Sequence, residues 1–418
     1  MLNLHFCKSK AMNVETVRSE FPELGEKVYG KQLVYLDNAA TSQRPSSVVR
    51  KWDELSTKLN SNLHRAVHHI ASLATEEYEN ARDYVRGYLN ASSREEIIFT
   101  SGATASINLV AYSFGESFIG EGDEIIVTEA EHHSDIVPWQ LLCQRKKAVL
   151  QYLHVDESGH LNLEELESLI SEKTKLVCIS HISNVLGLVN PVKEMSAICH
   201  SKGCRILVDG AQGIVHESVD VLDMDCDFYA FSGHKVYSAP GVGVLYGKKE
   251  LLDKMPPFLS GGEMIGTVKW SGTTWAPLPH KFEAGTQNIS GVPTLIPALE
   301  MAKLLRDKEI DEEYESLKNY LYRELMHMSG VRLYGVPKVL GEKIPLFSFT
   351  VEGAHHEDLA LILDKMGIAV RSGQMCAEPL MDRYGVTGML RASFAPYNTL
   401  AEAEYFIASL KRAIDMLK

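Results

Sequence analysis

The sequence predicts an α/β protein with a mostly parallel sheet, and two patterns support that prediction. From residue 31 to about 297, short apolar runs alternate with stretches of helical periodicity, which is typical of βαβ units. Beyond residue 297 a charged helical run leads into isolated strands, which is typical of a smaller α+β unit. At 418 residues the chain is long enough for two such units.

Seven apolar runs are predicted to form the strands of the large sheet, at residues 97–99, 124–127, 148–153, 176–179, 205–208, 227–231 and 243–246. Two connections, 162–171 and 192–202, have helical periodicity and begin at Asn162 or just after Pro191, as helices often do. The Pro- and Gly-rich stretch 256–285 predicts a long irregular region, and long loops in compact domains are often functional.

The second unit is predicted to contain a helical run over 298–328, a strand at 346–351, a helix over 356–366, a strand at 368–370 and a last helix from Leu400. Helix signals at 13–20 suggest that the segment before Gly30 packs on this unit. We therefore predict a large domain at 31–297 and a small domain that combines 1–30 with 298–418.

Composition narrows the class of protein. The chain has 45% hydrophobic and 23% charged residues, as soluble globular proteins do, and its net charge of −13 argues against a nucleic-acid partner. Residues 1–10 have too short an apolar run for a signal peptide, and no stretch approaches the roughly 18 apolar residues of a membrane helix. We expect a cytoplasmic protein with no membrane partner. Seven cysteines without a CxxC pair favour reduced thiols.

Two strand ends carry groups that suit pyridoxal 5'-phosphate (PLP). Lys235 closes the motif Ser232-Gly233-His234-Lys235 after the strand at 227–231, and a lysine amine can hold an aldehyde cofactor as a Schiff base. Asp209 ends the upstream strand and could keep the pyridine nitrogen protonated, although an aspartate there is often only a turn cap. Gln212 could hydrogen-bond the phenolate oxygen of the ring.

Phosphate contacts are predicted at two places. The turn Thr100-Ser101-Gly102-Ala103-Thr104 lies between a strand and a helix, where free backbone N–H groups and the helix dipole favour an anion. Such turns also occur for capping alone. Ser232 and His234 beside the lysine have side chains that can contact the same phosphate.

The motif Glu131-His132-His133-Ser134-Asp135 has alternative interpretations. Zinc is discounted because a third and fourth ligand are not found nearby, so no metal is predicted. His132 stacked on the cofactor ring is the preferred functional interpretation, and a core histidine is the alternative.

A cysteine on a loop is the second chemical group. Cys376 follows Arg371 by five positions on a stretch that contains Gly373 and precedes Ala-Glu-Pro. A free thiol is only a few per cent thiolate at neutral pH, and nearby cations raise that fraction. A lone cysteine is usually structural, but an exposed loop position favours reactivity. Arg391 could bind a substrate carboxylate with its forked guanidinium.

These motifs in this order resemble the group II (SufS-like) cysteine desulfurases of the class V aminotransferase fold, with selenocysteine lyases as close relatives. The resemblance is carried by the motifs already described and by Tyr35-Leu36-Asp37-Asn38-Ala39-Ala40, Ile136-Val137-Pro138-Trp139-Gln140, Ser183-Asn184-Val185-Leu186-Gly187, Gly272-Thr273-Thr274-Trp275 and Phe282-Glu283-Ala284-Gly285-Thr286. It implies the type I PLP-dependent transferase fold, with a seven-stranded sheet in a large domain and the cysteine loop in a small α+β domain.

The resemblance also implies a role for each site residue. Lys235 would bind PLP and later move the Cα proton of the substrate, and Cys376 would take its sulfur. The cofactor contacts would come from His132 on the ring, Asp209 on the pyridine nitrogen, Gln212 on the phenolate oxygen, and Thr104, Ser232, His234 and the partner's Thr286 of a homodimer on the phosphate. The substrate carboxylate would be bound by Asn184 and Arg391, with Arg371 beside them.

The implied reaction converts L-cysteine to L-alanine and leaves a persulfide on Cys376, supplying sulfur for iron-sulfur cluster assembly by the SUF system. L-selenocysteine stays open as a second substrate. Three positions depart from the family pattern: Gln374-Met375 replaces the histidines common before the cysteine, Ala103 replaces a hydroxyl in the phosphate turn, and Glu357 stands where relatives with a zinc-containing SufU-like acceptor tend to carry histidine. We therefore prefer a SufE-like sulfurtransferase as the acceptor.

Two other functions compete with this one. Transamination or β-elimination can occur on the same fold, but neither needs a loop thiol. A non-catalytic assembly partner is disfavoured because Lys235, Asp209, His132, Cys376 and Arg391 are all retained. A nucleotide-binding Rossmann domain is disfavoured because no GxGxxG follows the first strand.

Overall fold

The computed structural model describes residues 13–64 and 67–417; the prediction about a signal peptide falls on residues 1–10 and lies outside them. The helices are α1 (Val14–Arg18), α2 (Ser46–Lys58), α3 (His69–Tyr88), α4 (Ala103–Phe118), α5 (Val137–Lys146), α6 (Leu163–Leu169), α7 (Val192–Ser201), α8 (Gly213–His216), α9 (Val221–Met224), α10 (Lys249–Lys254), α11 (Leu295–Leu304), α12 (Lys308–Met326), α13 (His356–Lys365), α14 (Glu378–Tyr384) and α15 (Leu400–Leu417).

The strands are β1 (Lys27–Val28), β2 (Lys31–Gln32), β3 (Val34–Tyr35), β4 (Ile97–Thr100), β5 (Glu124–Thr128), β6 (Val149–Leu153), β7 (Thr174–Ser180), β8 (Arg205–Asp209), β9 (Phe228–Ser232), β10 (Gly243–Gly247), β11 (Ile265–Lys269), β12 (Gly272–Trp275), β13 (Val331–Tyr334), β14 (Leu346–Val351), β15 (Ile368–Ala369), β16 (Arg371–Gly373) and β17 (Met389–Ser393). Among the described residues no helix is long and apolar enough to cross a membrane.

The large sheet has the strand order β4-β10-β9-β8-β7-β5-β6. Strands β5 to β9 pair in parallel, and β10 is antiparallel to both neighbours. All seven predicted strands are present within two residues of their predicted ends, so the α/β prediction is confirmed. Side chains alternate between two apolar layers: Val177 and Ile179 pack on one face, and Leu176 and Cys178 on the other. Because helices cover both faces, these strands are apolar throughout.

The second sheet has the order β13-β14-β17-β16 and is covered by α12, α13 and α15 around a separate core. Strands β13 and β17 were not predicted, because Arg332 and Arg391 interrupt their apolar patterns. The predicted strand at 368–370 is present as β15, in which Ile368 pairs with Val34 of β3. A separate strand that was not predicted, β16, follows it and pairs with β17.

The sequence suggested that the N-terminal segment packs on the second unit. In the structure it contacts both units. Val14 and Val17 belong to the core of the large sheet. The ring of Phe21 lies 5.8 Å from that of Tyr237, and Arg18 forms an ion pair with Glu402 of α15. The segment therefore joins the two units, and the domain limits at 30 and 297 stay predictions.

The stretch 256–285 is not irregular throughout, which corrects the expectation. Strands β11 and β12 form an antiparallel hairpin within it. Val268, Trp270 and Trp275 on this hairpin are exposed. The hairpin therefore exposes apolar side chains, unlike the buried strands of the large sheet.

Candidate active site

A cavity of about 500 Å³ lies at one edge of the large sheet and reaches the second unit. Strands β4, β8 and β9 end at this edge and β10 begins there, so their terminal residues meet, as ligand sites in open α/β sheets do. The predicted site residues that line the cavity are Thr104, His132, Asn184, Asp209, Ser232, His234, Lys235, Arg371, Cys376 and Arg391. The fold thus brings together side chains from most of the chain.

Lys235 and Asp209 form the charged centre of the cavity. Desolvation lowers the pKa of the Lys235 amine, and the attraction of Asp209 opposes that shift. Burial raises the pKa of Asp209, while Lys235 and the backbone N–H of Ala211, 2.9 Å from Oδ1, lower it. An amine whose pKa is lowered is more often neutral and nucleophilic, and a strand-end carboxylate suits a pyridinium.

The predicted phosphate turn opens helix α4, which begins directly after Gly102. The backbone N–H of Ala103 donates to Ser232 Oγ at 2.8 Å, which leaves the Ser232 hydroxyl proton free for an anion. Gly243 on β10 lies so close that a Cβ there would stand 2.4 Å from the backbone of Gly102. The two glycines therefore allow the turn to lie against the sheet.

Burial keeps two of the three histidines that line the cavity, His132 and His234, in the neutral form. Burial, helped by the charge of Lys235, lowers the pKa of His132 and of His234 to about 4. His132 Nδ1 lies 2.5 Å from Ser134 Oγ, and His234 Nδ1 lies 3.2 Å from Thr41 Oγ1. A neutral imidazole facing the cavity suits stacking on an aromatic ring.

The carboxyl groups beside His132 point into the core rather than into the cavity. Thr128 Oγ1 donates to Glu131 at 2.6 Å, and Trp139 Nε1 donates to Asp135 at 2.8 Å. Burial raises the pKa of Glu131 to about 8. These acids stabilise the turn that carries His132 and do not form a ligand set with it.

Both arginines of the site contact one carboxylate that the sequence analysis did not single out. Arg391 Nη2 and Arg371 Nη2 donate to Asp37 at 3.1 and 3.0 Å. Arg391 is buried, and its Nε has no partner among the described residues. That N–H is a donor available to a bound anion. Asp37 lies in the quoted 35–40 motif, which was the only signal for it.

The loop of Cys376 is fixed from the large unit. Asn184 Nδ2 donates to the carbonyl of Met375 at 2.9 Å, and the backbone N–H of His133 donates to the carbonyl of Cys376 at 2.8 Å. The imidazole of His133 also pairs with Glu378. Cys376 is exposed, whereas the other five cysteines in the described residues are buried. Sequence analysis missed this role of His133, for which no local pattern exists.

Two predicted cofactor residues do not line the cavity. Gln212 is buried, and its Nε2 donates to the carbonyl of Ala39 at 2.8 Å. Thr286 borders a separate cavity of about 260 Å³ with Phe99 and Phe258. The structure therefore does not bring Thr286 to Lys235 within one chain, and its assignment to a partner subunit's site stays a prediction.

One group of metal-ligand types occurs among the described residues, away from this cavity. Ligand atoms of His64, Glu79 and His280 lie within 4.8 Å of one another. Glu79 already accepts hydrogen bonds from Arg82 at 3.0 and 3.2 Å, which competes with a cation. The prediction of no metal stays a prediction.

The cavity fits a PLP group by the chemistry of its donors. It combines a lysine amine, a buried carboxylate, a neutral imidazole and a helix N-terminus next to a serine hydroxyl. These are the groups that an aldehyde, a pyridinium, an aromatic ring and a phosphate each require.

Comparisons with known proteins agree with this fit. Residues 34–406 match the aminotransferase class-V family. A probable cysteine desulfurase of Halalkalibacterium halodurans is 46% identical over 96% of this chain and 98% of its own, and one of Vibrio cholerae is 41% identical over 97% and 100%. The crystal structure of the Escherichia coli cysteine desulfurase CsdA has a TM-score of 0.89 at 37% identity, covering 98% of this chain and 100% of its own. A cysteine desulfurase of Thermococcus onnurineus has a TM-score of 0.91 at 37% identity, covering 97% and 99%.

Proposed function

This chain belongs to the aminotransferase class-V family, whose members are PLP-dependent, and from that premise we propose that it is a cysteine desulfurase. The observation that carries the proposal is the exposed thiol of Cys376 on the wall of the cavity that holds Lys235 and Asp209. A transaminase has no use for such a thiol.

Each charged group has a proposed task. Lys235 binds the cofactor and then moves the Cα proton of L-cysteine, because its amine pKa is lowered toward the working range of a base. Asp209 pairs with the pyridine nitrogen, and His132 stacks on the ring. Gln212, which donates to Ala39, is assigned the phenolate oxygen from the family resemblance alone.

The anionic ends of cofactor and substrate meet separate donors. Thr104, Ser232 and His234 are proposed to hold the phosphate. The unpartnered Nε of Arg391 and the side chain of Asn184 are proposed to bind the substrate carboxylate. Arg371 and Arg391 both pair with Asp37 through Nη2 and neutralise it, which leaves Arg391 Nε for the substrate.

The reaction balances without an outside oxidant. Bound PLP supplies an electron sink that makes the Cα proton acidic and weakens the Cβ–S bond. The Cys376 thiolate attacks the substrate sulfur, the Cβ–S bond breaks and the new S–S bond forms. The electron pair stays on Cβ, which takes a proton and becomes the methyl group of L-alanine, while Cys376 carries the persulfide.

We further propose, on the family resemblance, that a cytoplasmic SUF-type system receives this sulfur for iron-sulfur cluster assembly. The acceptor is taken to be SufE-like rather than SufU-like, because the exposed Glu357 on α13 stands where histidine would serve a zinc-containing acceptor. L-Selenocysteine is a second substrate to test, since it fits the same contacts.

Product analysis with the Cys376→Ala variant tests the function. The holoenzyme is incubated with L-cysteine and a thiol reductant, and alanine, pyruvate and sulfide are quantified. We expect alanine and sulfide in equal amounts, with a loss of at least about 100-fold in Cys376→Ala, because removal of a covalent nucleophile abolishes its step.

Cys143→Ala serves as the matched control, because Cys143 is a buried thiol that does not line the cavity. It should keep the activity of the parent. Pyruvate as the main product, or equal activity in Cys376→Ala, would assign β-elimination instead.

A further inference from the structure

The turn Ser183-Asn184-Val185-Leu186-Gly187 follows β7 and is held by side chains of the second unit. Three consecutive backbone carbonyls of this turn each accept a hydrogen bond from one of these side chains. Arg391 Nη1 donates to Asn184 at 2.9 Å, Ser348 Oγ to Val185 at 2.6 Å, and Lys343 Nζ to Leu186 at 2.5 Å. We call these residues, 183–187, the carbonyl turn.

The carbonyl turn also touches the cysteine loop. Asn184 Nδ2 donates to the carbonyl of Met375, directly before Cys376. The second N–H of the same amide has no partner within residues 13–64 and 67–417 and can donate to a ligand in the cavity, which Asn184 lines. A shift of the turn therefore moves a substrate contact and the thiol loop together.

Lys343 is the unusual member of the three donors. It is 1% exposed, and no carboxylate of the described residues lies within ion-pair distance of it. Besides Leu186, its Nζ faces the ring of Phe347 at 5.4 Å. Burying an ammonium without a carboxylate partner destabilises the folded state. An apolar side chain of similar size would occupy this place without that desolvation penalty.

We propose that Lys343 is a positioning residue for the reaction, which holds the carbonyl turn and through it sets Asn184 and the Cys376 loop. The inference rests on the proposed function, because Asn184 is assigned to the substrate carboxylate there. Lys343 does not line the cavity with Lys235 and acts only through the turn.

The charge state of Lys343 makes the strength of its hydrogen bond to the carbonyl turn depend on pH. Lys343 borders a second cavity of about 310 Å³, whose other titratable and charged lining groups are His216, Glu217, Arg306, Asp311, Tyr314, Glu315 and Lys318. Burial, and then the charge of Lys318, lower the pKa of Lys343 to about 7. Below pH 7 the ammonium donates a charge-assisted hydrogen bond, and above it the neutral amine donates a weaker one. The carbonyl turn is therefore held less firmly as the pH rises through 7.

Variants of the holoenzyme test this role. Lys343→Met removes the donor, and Lys343→Arg keeps a permanent charge with room to extend into the adjoining cavity. Lys318→Met is the matched control at pH 6.5; at higher pH it should keep the low KM of the parent, because loss of the Lys318 charge raises the pKa of Lys343. Lys318 is also buried on that cavity, but it pairs with Glu315 and makes no contact with the turn. The readouts are KM and kcat for L-cysteine from pH 6 to 9, and the alkylation rate of Cys376 by iodoacetamide without substrate, followed by mass spectrometry of its peptide.

We expect Lys343→Met to raise KM about tenfold at pH 6.5, as the loss of one charged hydrogen bond does, with kcat within about twofold. The rate at which iodoacetamide alkylates Cys376 should also change severalfold in Lys343→Met, because the loop that carries the thiol is no longer held in place. We expect the KM of the parent to rise through pH 7. Lys343→Arg should restore both values and remove that rise.

The role is overturned if Lys343→Met keeps the KM and alkylation rate of the parent, or if Lys318→Met reproduces its effects, since cavity packing would then explain them. Should Lys343→Met not fold, the pH profiles of the parent and Lys343→Arg decide alone, and identical profiles contradict the proposal. If the parent makes no alanine the proposed function fails, yet the alkylation rates still test the turn.

Discussion

Residues of the cavity show how burial and mutual attraction together set protonation. Desolvation pushes Lys235 and Asp209 toward their neutral forms, and their attraction partly restores both charges. His132 has no opposite charge to help it, so its pKa falls to about 4. The cavity therefore keeps one charged pair, Lys235 and Asp209, beside the neutral imidazoles of His132 and His234.

Cys376 also differs from its neighbours in backbone conformation. It has φ +56°, as does Met375, whereas Gln374 does not have a positive φ. A left-handed conformation costs a residue with a Cβ roughly 1–2 kcal/mol. We expect Cys376→Gly to have a free energy of unfolding about 1 kcal/mol above that of Cys376→Ala, measured by urea denaturation of the holoenzyme.

The matched position is Gln374, which is exposed as Cys376 is. There the order should reverse, with the Ala variant more stable than the Gly variant by about 0.5–1 kcal/mol. The same order at both positions would show that no backbone strain is present at the thiol.

At the scale of elements, β10 sets the phosphate turn. It runs antiparallel between β4 and β9, and Gly243 pairs with Thr100 and Ser232. Because a Cβ on Gly243 would meet the backbone of Gly102 at 2.4 Å, Gly243→Ala must push the turn away from the sheet. We expect the dissociation constant of PLP to rise at least about tenfold, as one lost charged contact would cause, measured by absorbance after dialysis.

Gly87 on α3 provides the control for that change. A Cβ there meets nothing within 4 Å, and Gly to Ala in a helix is stabilising by roughly 0.5–1 kcal/mol. Gly87→Ala should keep the PLP affinity of the parent. Equal affinity in Gly243→Ala would mean that the turn tolerates displacement.

At the scale of the whole molecule, two features agree with the homodimer that the family resemblance predicts: Thr286 lies on a separate cavity, and the hairpin β11–β12 has exposed apolar side chains. If the partner's Thr286 completes each site, two inactive variants should complement each other. Thr286→Asp places a negative charge against the phosphate, and Lys235→Ala removes the amine. Mixed and refolded together, they should form heterodimers in which one site has both intact residues, with activity near a quarter of the parent's.

Each variant refolded alone is the control and should stay inactive. Sedimentation equilibrium reports whether the mixture is dimeric. Activity that does not return in a dimeric mixture would contradict the prediction that Thr286 completes the partner's site.

The sequence by itself determined the seven strands of the large sheet and the residues of the cavity at their ends, because apolar periodicity is local and parallel strands end at one edge. The sequence did not predict which residues distant in the chain form hydrogen bonds with one another. Asp37 bonds Arg391 across 354 positions, and Lys343 bonds Leu186 across 157. Strands β13 and β17 were not predicted either, because an arginine interrupts the apolar pattern of each strand and its pairing partners are distant in the chain. Only the tertiary structure decided these, since a buried charge is stabilised by whatever group the fold places opposite it, and chain order does not encode that neighbour.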